Sequence, residues 1–338
     1  MLIGHRTWLF TNKPVIASTG VVGGPFEARG NIPNDFDILH DDTWLKQDSF
    51  EKAQQILMEE ACQVAVKKLS MDKEQVQFFI SGDLINQITP TNFAAKTIGI
   101  PYFGLFSACA TSMESLALSA FIINNNGANY ILSGTASHNS AAERQFRYPT
   151  EYGGQKPPTA QWTATGAGCA LIAKEGKGPV ITSATIGKVV DMGITDPFNM
   201  GGAMAPAAVD TITTHLKEKN VDPSYYDYII TGDLAHIGRE ISLDLLQKNG
   251  INVTAEQYVD CGLILYREGQ PVLAGGSGPA SSAIVTYGHF INLLKKGEIN
   301  RILVVATGAL HSPLSVNQGD SIPCIAHAVS IESGSGSS

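Results

Sequence analysis

The chain repeats itself, and that constrains its fold more than any other feature of the sequence. Residues 67–84 lie over residues 217–234 at one constant offset without a gap, which is the signature of a duplicated structural unit. In the first copy Asp72 leads into Phe78-Phe79-Ile80-Ser81-Gly82-Asp83-Leu84. In the second, Asp222 leads into Tyr228-Ile229-Ile230-Thr231-Gly232-Asp233-Leu234. Each copy reads as a helix end, a buried strand and a small-Gly-Asp turn. The preceding helices agree: Ala53, Ile56, Leu57, Ala61 and Val64 share one apolar face after a capping box at Asp48 and Glu51, and Val209, Ile212 and Leu216 do likewise. Further helices over 93–98 and 241–246 are closed by Gly99 and Gly250. The match resumes where 112–126 parallels 281–296 and Tyr130-Ile131-Leu132 parallels Arg301-Ile302-Leu303. The larger offset there points to an insertion in the second copy, expected as a hairpin or strand within 256–272.

Strands alternating with helices imply a mainly parallel sheet covered on both faces in each half. The expected division is 1–178 for the first half, 179–333 for the second and 334–338 for a flexible tail. Ligands in such sheets sit beyond the carboxyl ends of the strands. The turns at Gly82-Asp83, Gly134-Thr135, Gly232-Asp233 and Gly308 all fall there, so a site between the halves is expected.

Composition narrows the partners. A net charge of −8 and a pI near 5.5 leave no general field for phosphate backbones, so nucleic acid is not expected. The apolar runs fall short of the ~20 residues that cross a bilayer, and the first residues lack the apolar stretch of a secretory signal, so synthesis in the cytosol is expected. The five cysteines, Cys62, Cys109, Cys169, Cys261 and Cys324, contain no CxxC pair, a poor framework for disulfides or metal. His5, His40, His215, His289 and His327 show no ligand spacing, so neither a metal nor a cofactor is expected.

The segment Leu105-Phe106-Ser107-Ala108-Cys109-Ala110-Thr111-Ser112 passes from a strand through small residues into a helix. Cys109 falls near the first turn, where unpaired amides and the helix dipole favour an anion, so it is expected to be the most reactive thiol of the chain. Taken alone, the spacing serves a buried small hydrophobe equally well. With Thr163-Ala164-Thr165-Gly166-Ala167-Gly168-Cys169 and Gly275-Gly276-Ser277-Gly278-Pro279-Ala280-Ser281-Ser282, the segment resembles the thiolase superfamily, the thiolases and β-ketoacyl-ACP synthase III type condensing enzymes. The first stretch resembles that family's Gly-Asp-Gly-Ala-Gly strand entry and the second its Gly-Asn-Thr-Ser-Ala-Ala-Ser turn. The resemblance implies an α/β fold, thiolase-like and five-layered (αβαβα), with two similar halves, and a homodimer.

The departures carry as much information. Condensing enzymes need a His and an Asn or second His to bind the enolate oxygen and activate the donor. The matching places hold Gly232 or Asp233, and Ser277 or Gly278, with Thr165 at the family's Asp. That pattern is similar to the thiolase-like component of the spore channel system that handles dipicolinic acid. The similarity implies a non-catalytic protein that binds pyridine-2,6-dicarboxylate, with or without calcium, and sits peripherally on the spore inner membrane among channel proteins. The expected ligand contacts are Ser107, Cys109, Ala110, Thr111, Ser137, His138, Arg144, Arg147, Ser277 and His311, with helix-start amides on one carboxylate and His138 with an arginine on the other. The loops at Pro157-Pro158 and 201–206 are expected over the site. Asp83 and Asp233, placed alike in the two copies, are expected to serve their turns. The alternative is an acyl-transferring enzyme using Cys109 with His138, His236 or His311.

Overall fold

The computed structural model describes residues 1–146 and 156–334. Each copy contributes five strands to the ten-strand path of one large sheet, which three short strands flank. The first supplies β1 (Val15–Gly23), β2 (Phe78–Gly82), β3 (Tyr102–Gly104), β4 (Tyr130–Ser137) and β5 (Gly166–Ala173). The second supplies β6 (Val180–Thr185), β7 (Tyr228–Thr231), β8 (Tyr258–Asp260), β9 (Arg301–Ala309) and β10 (Cys324–Glu332). The spatial order is β8-β7-β9-β10-β6-β1-β5-β4-β2-β3, so the two halves mirror each other about the β6–β1 contact. Within each half the β3-β2-β4 and β8-β7-β9 sets are parallel, while β5 and β10 return antiparallel.

The pleat explains the layers. Phe79 and Leu132, paired across β2 and β4, face one way and pack under α1 (Phe50–Lys67) and α2 (Thr89–Ile98). Ile80 and Ile131 face the other way, onto α3 (Thr111–Asn124). In the second half Ile229, Leu303 and Val305 pack under α5 (Met200–Lys219) and α6 (Ala235–Lys248), and Ile230, Ile302 and Val304 face inward. Inside, α3 meets α8 (Pro279–Ile284), which runs on through a π-helical turn, Val285–Phe290, into Ile291–Lys296. A helix that is apolar all round belongs in an interior, and both are buried on nearly every face. The result is helices, half-sheet, helices, half-sheet, helices, in the five-layered arrangement expected. The short α4 (Asn139–Phe146) follows β4.

Local details differ from the sequence pattern in three places. The cap of α1 is Ser49, whose Oγ accepts the Lys52 amide, rather than Asp48. The stretch 256–272 holds strand β8 followed by the short helix α7 (Cys261–Leu265), not a hairpin: β8 is the counterpart of β3, and α7 is the addition. Residues 201–206 are the opening turns of α5, not a loop. Gly201 serves a helix crossing, since a Cβ on it would stand 2.3 Å from the Leu234 carbonyl oxygen.

Close approach is also the reason for Gly20 in β1. A Cβ there would stand 2.0 Å from the Ala61 carbonyl oxygen, so α1 lies directly on the sheet. Gly20→Ala is expected to lower stability by about 1–3 kcal/mol through overpacking, read as a lower urea midpoint at unchanged slope.

Candidate functional site

The site is built where α3 and α8 begin. Ala108 stands at φ +48°, a left-handed conformation costly for a residue with a Cβ, and so presents Cys109 at the mouth of α3. Local bonds hold this turn: Thr111 Oγ1 donates to the Ala108 carbonyl at 2.8 Å and accepts the Ser107 amide at 3.2 Å. Two glycines make room for it. A Cβ on Gly82 would stand 1.9 Å from the Leu105 carbonyl oxygen and one on Gly308 2.2 Å from that of Ser107, so the Cys109 turn is seated between a strand of each half.

From the second half, Asp233 reaches the thiol. It is fully buried: Oδ1 accepts Thr307 Oγ1 at 2.7 Å, and Oδ2 accepts the Gly278 amide at 3.0 Å and Ser277 Oγ at 3.3 Å. Burial pushes its carboxyl up to about 6, against the hydrogen bonds that favour the anion. Burial first, and the Asp233 carboxylate second, push the Cys109 thiol well above its ordinary value. This corrects the expectation of a thiol activated by a helix start. Withdrawal from water disfavours a thiolate here, and the carboxylate that accepts the S–H adds to that.

Asp83 occupies the matching position in the first copy and does something else. Its carboxylate accepts the amides of Ile85 and Thr91 and the Thr91 hydroxyl, tying down the start of α2. In the second copy the equivalent bonds are made by Asp260, which accepts Thr231 Oγ1 and the amides of Leu234, Ala235 and Gly262. Asp83 thus serves its turn as expected, whereas Asp233 is released to face Cys109. The sequence signal for Asp260 was its place as a cap immediately before α7.

The cavity at Cys109 is small, about 30 Å³. Leu84, Phe106, Phe146 and Met200 give it apolar walls, and Thr163, Ser277 and His311 join Cys109 as its polar groups. Thr163 and Ser277 are brought together by the parallel pairing of Trp162–Thr163 with Gly276–Ser277. Thr165, at the place of the family's Asp, donates its amide to Glu27 Oε1 at 3.0 Å, so a buried carboxylate from the first half stands beside it.

Of the expected contacts among the described residues, Cys109, Ser277 and His311 meet in this cavity, and the others do not. His138 is fully buried behind it, with Nε2 on the Thr43 carbonyl at 2.8 Å, Nδ1 accepting the Ser140 amide at 3.2 Å and the ring stacked on Phe50. Both its nitrogens are engaged, and burial lowers its basicity, so it supplies no cation. Arg144 is exposed and directed to Glu51 at 3.7 Å. Ser137 Oγ bridges the Ala164 carbonyl at 2.7 Å and the Ala280 amide at 3.3 Å. Ser107 Oγ meets His327 Nε2 at 3.4 Å, and Ala110 is packed in the central core. Arg147 lies outside the described residues, as do 335–338 of the expected tail. His236 is exposed on α6 and does not line the cavity. Phe106, Phe146 and Met200 were not foreseen as walls, because wall residues carry no pattern of their own.

Comparison with known proteins agrees with this fold. The sequence model of the family described as Stage V sporulation protein AD (SpoVAD) matches residues 4–332. Stage V sporulation protein AD of Bacillus subtilis (strain 168) is 46% identical over 337 residues, which cover 100% of this chain and 99% of that protein. Among solved structures, a single-substitution variant of OleA of Xanthomonas campestris superposes with a TM-score of 0.63 at 12% identity, over 98% of this chain and 100% of that one. Human mitochondrial 3-ketoacyl-CoA thiolase gives 0.58 at 13%, over 96% and 100%. The 3-oxoacyl-[acyl-carrier-protein] synthase III of Aquifex aeolicus VF5 gives 0.55 at 15%, over 95% and 99%. The fold is that of the thiolases, and the chain belongs to the stage V sporulation protein AD family.

Proposed function

We propose that this sporulation protein is a non-catalytic thiolase homologue that binds dipicolinic acid and serves as a peripheral component of the SpoVA channel of the spore inner membrane, in dipicolinate uptake during sporulation and release during germination. The observation that carries the non-catalytic part is Asp233 against Cys109. A Claisen condensation needs a thiolate to accept the acyl group and donors to hold the enolate oxygen. A buried carboxylate beside the thiol opposes both negative charges, and Ser277 offers one hydroxyl where the condensing enzymes present a carboxamide or imidazole. The strained turn at Ala108 favours a second reading, acyl transfer to Cys109. Intact mass after incubation with acetyl-CoA or malonyl-CoA is expected to show no acyl adduct, and a stoichiometric adduct would establish the second reading instead.

The binding part rests on membership of the sporulation family and on the cavity. Its apolar walls, Phe106 and Phe146 among them, suit a flat aromatic ring, and Ser277, Thr163, His311 and the Cys109 turn suit the polar edge of a pyridine dicarboxylate. Asp233 sets the pH dependence. Its carboxyl, pushed up to about 6, is neutral below that pH and charged above it, so a dianion binds more tightly as pH falls through that value. By calorimetry, dipicolinate is expected to bind better than isophthalate, which keeps both carboxylates and lacks the ring nitrogen. Ser277→Ala should weaken binding by about tenfold or more, and Cys109→Trp should abolish it by filling the cavity. Asp233→Asn should flatten the pH dependence between about pH 5 and about pH 7.5. Equal affinity for isophthalate, or normal binding to Cys109→Trp, would refute the ligand or its location.

The homodimer is supported by the free edge of β3. Among the described residues this strand ends the sheet with its outer edge unpaired, and Phe93 (51%), Phe103 (48%) and Phe106 (49%) are exposed. An exposed apolar edge strand is a template for a second copy. Light scattering is expected to give twice the 35.9 kDa chain mass, and Phe103→Asp to shift it to the monomer. Among the described residues no helix is long and apolar enough to cross a membrane, so attachment to the spore membrane falls to channel partners. Calcium accompanying the ligand would be carried by the dicarboxylate, since no acidic, His and Cys cluster of metal-holding geometry occurs among the described residues.

A further inference from the structure

Two cysteines away from the Cys109 cavity lie sulfur to sulfur. Cys62 Sγ on α1 and Cys169 Sγ on β5 are 3.5 Å apart, and the two residues are 2% and 0% exposed. Their backbones are also close. Cys169 pairs with Gly20 on one side and Gly134 on the other. A Cβ on Gly20 would collide with the carbonyl of Ala61, the residue before Cys62, and a Cβ on Gly134 would stand 2.9 Å from Cys169 Cα. The glycines remove the side-chain layer that would otherwise hold helix and sheet apart. A disulfide requires such proximity, with Cα atoms closer than about 7 Å.

Access to the pair is one-sided. A cavity of about 280 Å³ opens beside α1 and α2, and Cys62 lines it with Val66, Met71, Ile98, Ile100 and Leu132. Cys169 does not reach that surface, so a small oxidant entering there meets Cys62 first and finds the second thiol directly behind it.

We propose that Cys62 and Cys169 are an oxidisable dithiol, a modification site at which a hydroperoxide converts the pair to a disulfide that fastens α1 to the sheet. The Cys62 sulfur attacks one peroxide oxygen, the O–O bond breaks, and the thiol proton leaves with the departing oxygen as water, giving a sulfenic acid. The Cys169 sulfur then attacks the Cys62 sulfur, the S–O bond breaks, and hydroxide leaves with the Cys169 proton as a second water. Two thiols lose two electrons in all and hydrogen peroxide is reduced to two waters. Burial pushes the Cys62 thiol well above its ordinary value, so the first step is slow at neutral pH and quickens as pH rises. The adjacent thiol makes a disulfide, rather than a sulfinic acid, the product.

The test treats the folded full-length protein with hydrogen peroxide, blocks remaining thiols with N-ethylmaleimide in denaturant, and maps the peptides. The expected result is a Cys62–Cys169 cross-link reversed by dithiothreitol, formed faster at higher pH. In Cys169→Ser, dimedone should trap a sulfenic acid on Cys62, and in Cys62→Ser residue 169 should stay reduced. The wild-type map is decisive if either variant folds poorly. Recovery of both residues as maleimide adducts when Cys109 has been oxidised, or dimedone labelling of Cys62 in the wild type without a cross-link, would overturn the proposal.

Discussion

Two half-sheets share one pair of buried helices, and the rest of the structure depends on that shared layer. Helices α3 and α8 are repeats of each other, and they cross closely because the residues between them are small: Ser112 and Ser282 touch Oγ to Oγ at 2.6 Å. Neither helix has a polar face to give to water, so each needs a sheet on one side and its counterpart on the other. Because both begin at the same end of the sheet, the Cys109 turn and the Gly278 turn arrive side by side. The site between the halves is a consequence of the packing that stabilises the halves.

The chemistry at that site comes from breaking the symmetry that built it. Asp83 and Asp233 stand at equivalent strand ends, and burial pushes both up to about 6. Asp83 spends its oxygens on the start of α2. Asp260 takes over the same duty in the second copy, and Asp233 turns to the Cys109 thiol, Gly278 and Thr307. Where the first copy uses its carboxylate to fasten a helix, the second copy thereby places a buried carboxylate beside a buried thiol. The same carboxylate gives the cavity a pH-dependent charge, which an anionic ligand would sense and a neutral one would not.

Much of the architecture was legible before any coordinates, for a physical reason. Strand pleat and helix pitch convert a buried face into a sequence period, and the repetition of Phe78–Leu84 as Tyr228–Leu234 doubled that signal. The Cys109 turn was legible too, because only small residues permit it. The companions of Cys109 were harder to read. His138 and Arg144 follow a strand end that leads to the site, yet they point to Thr43 and Glu51. Nearness along the chain does not set side-chain direction, which here follows from the course of α4 against α1.

The sequence by itself determined the duplication, the alternation of strands and helices and the carboxyl-end location of the Cys109 turn. These are properties of local pattern, and local pattern survives in one dimension. Only the tertiary structure decided that Asp233 rather than His138 stands against the Cys109 thiol, that Phe106, Phe146 and Met200 wall the cavity, and that Cys62 meets Cys169. Each of those contacts joins residues from separate elements, and its energetic consequence depends on burial and distance. A carboxylate raises a thiol's pKa only where both are withdrawn from water and brought together, and no spacing along the chain records that.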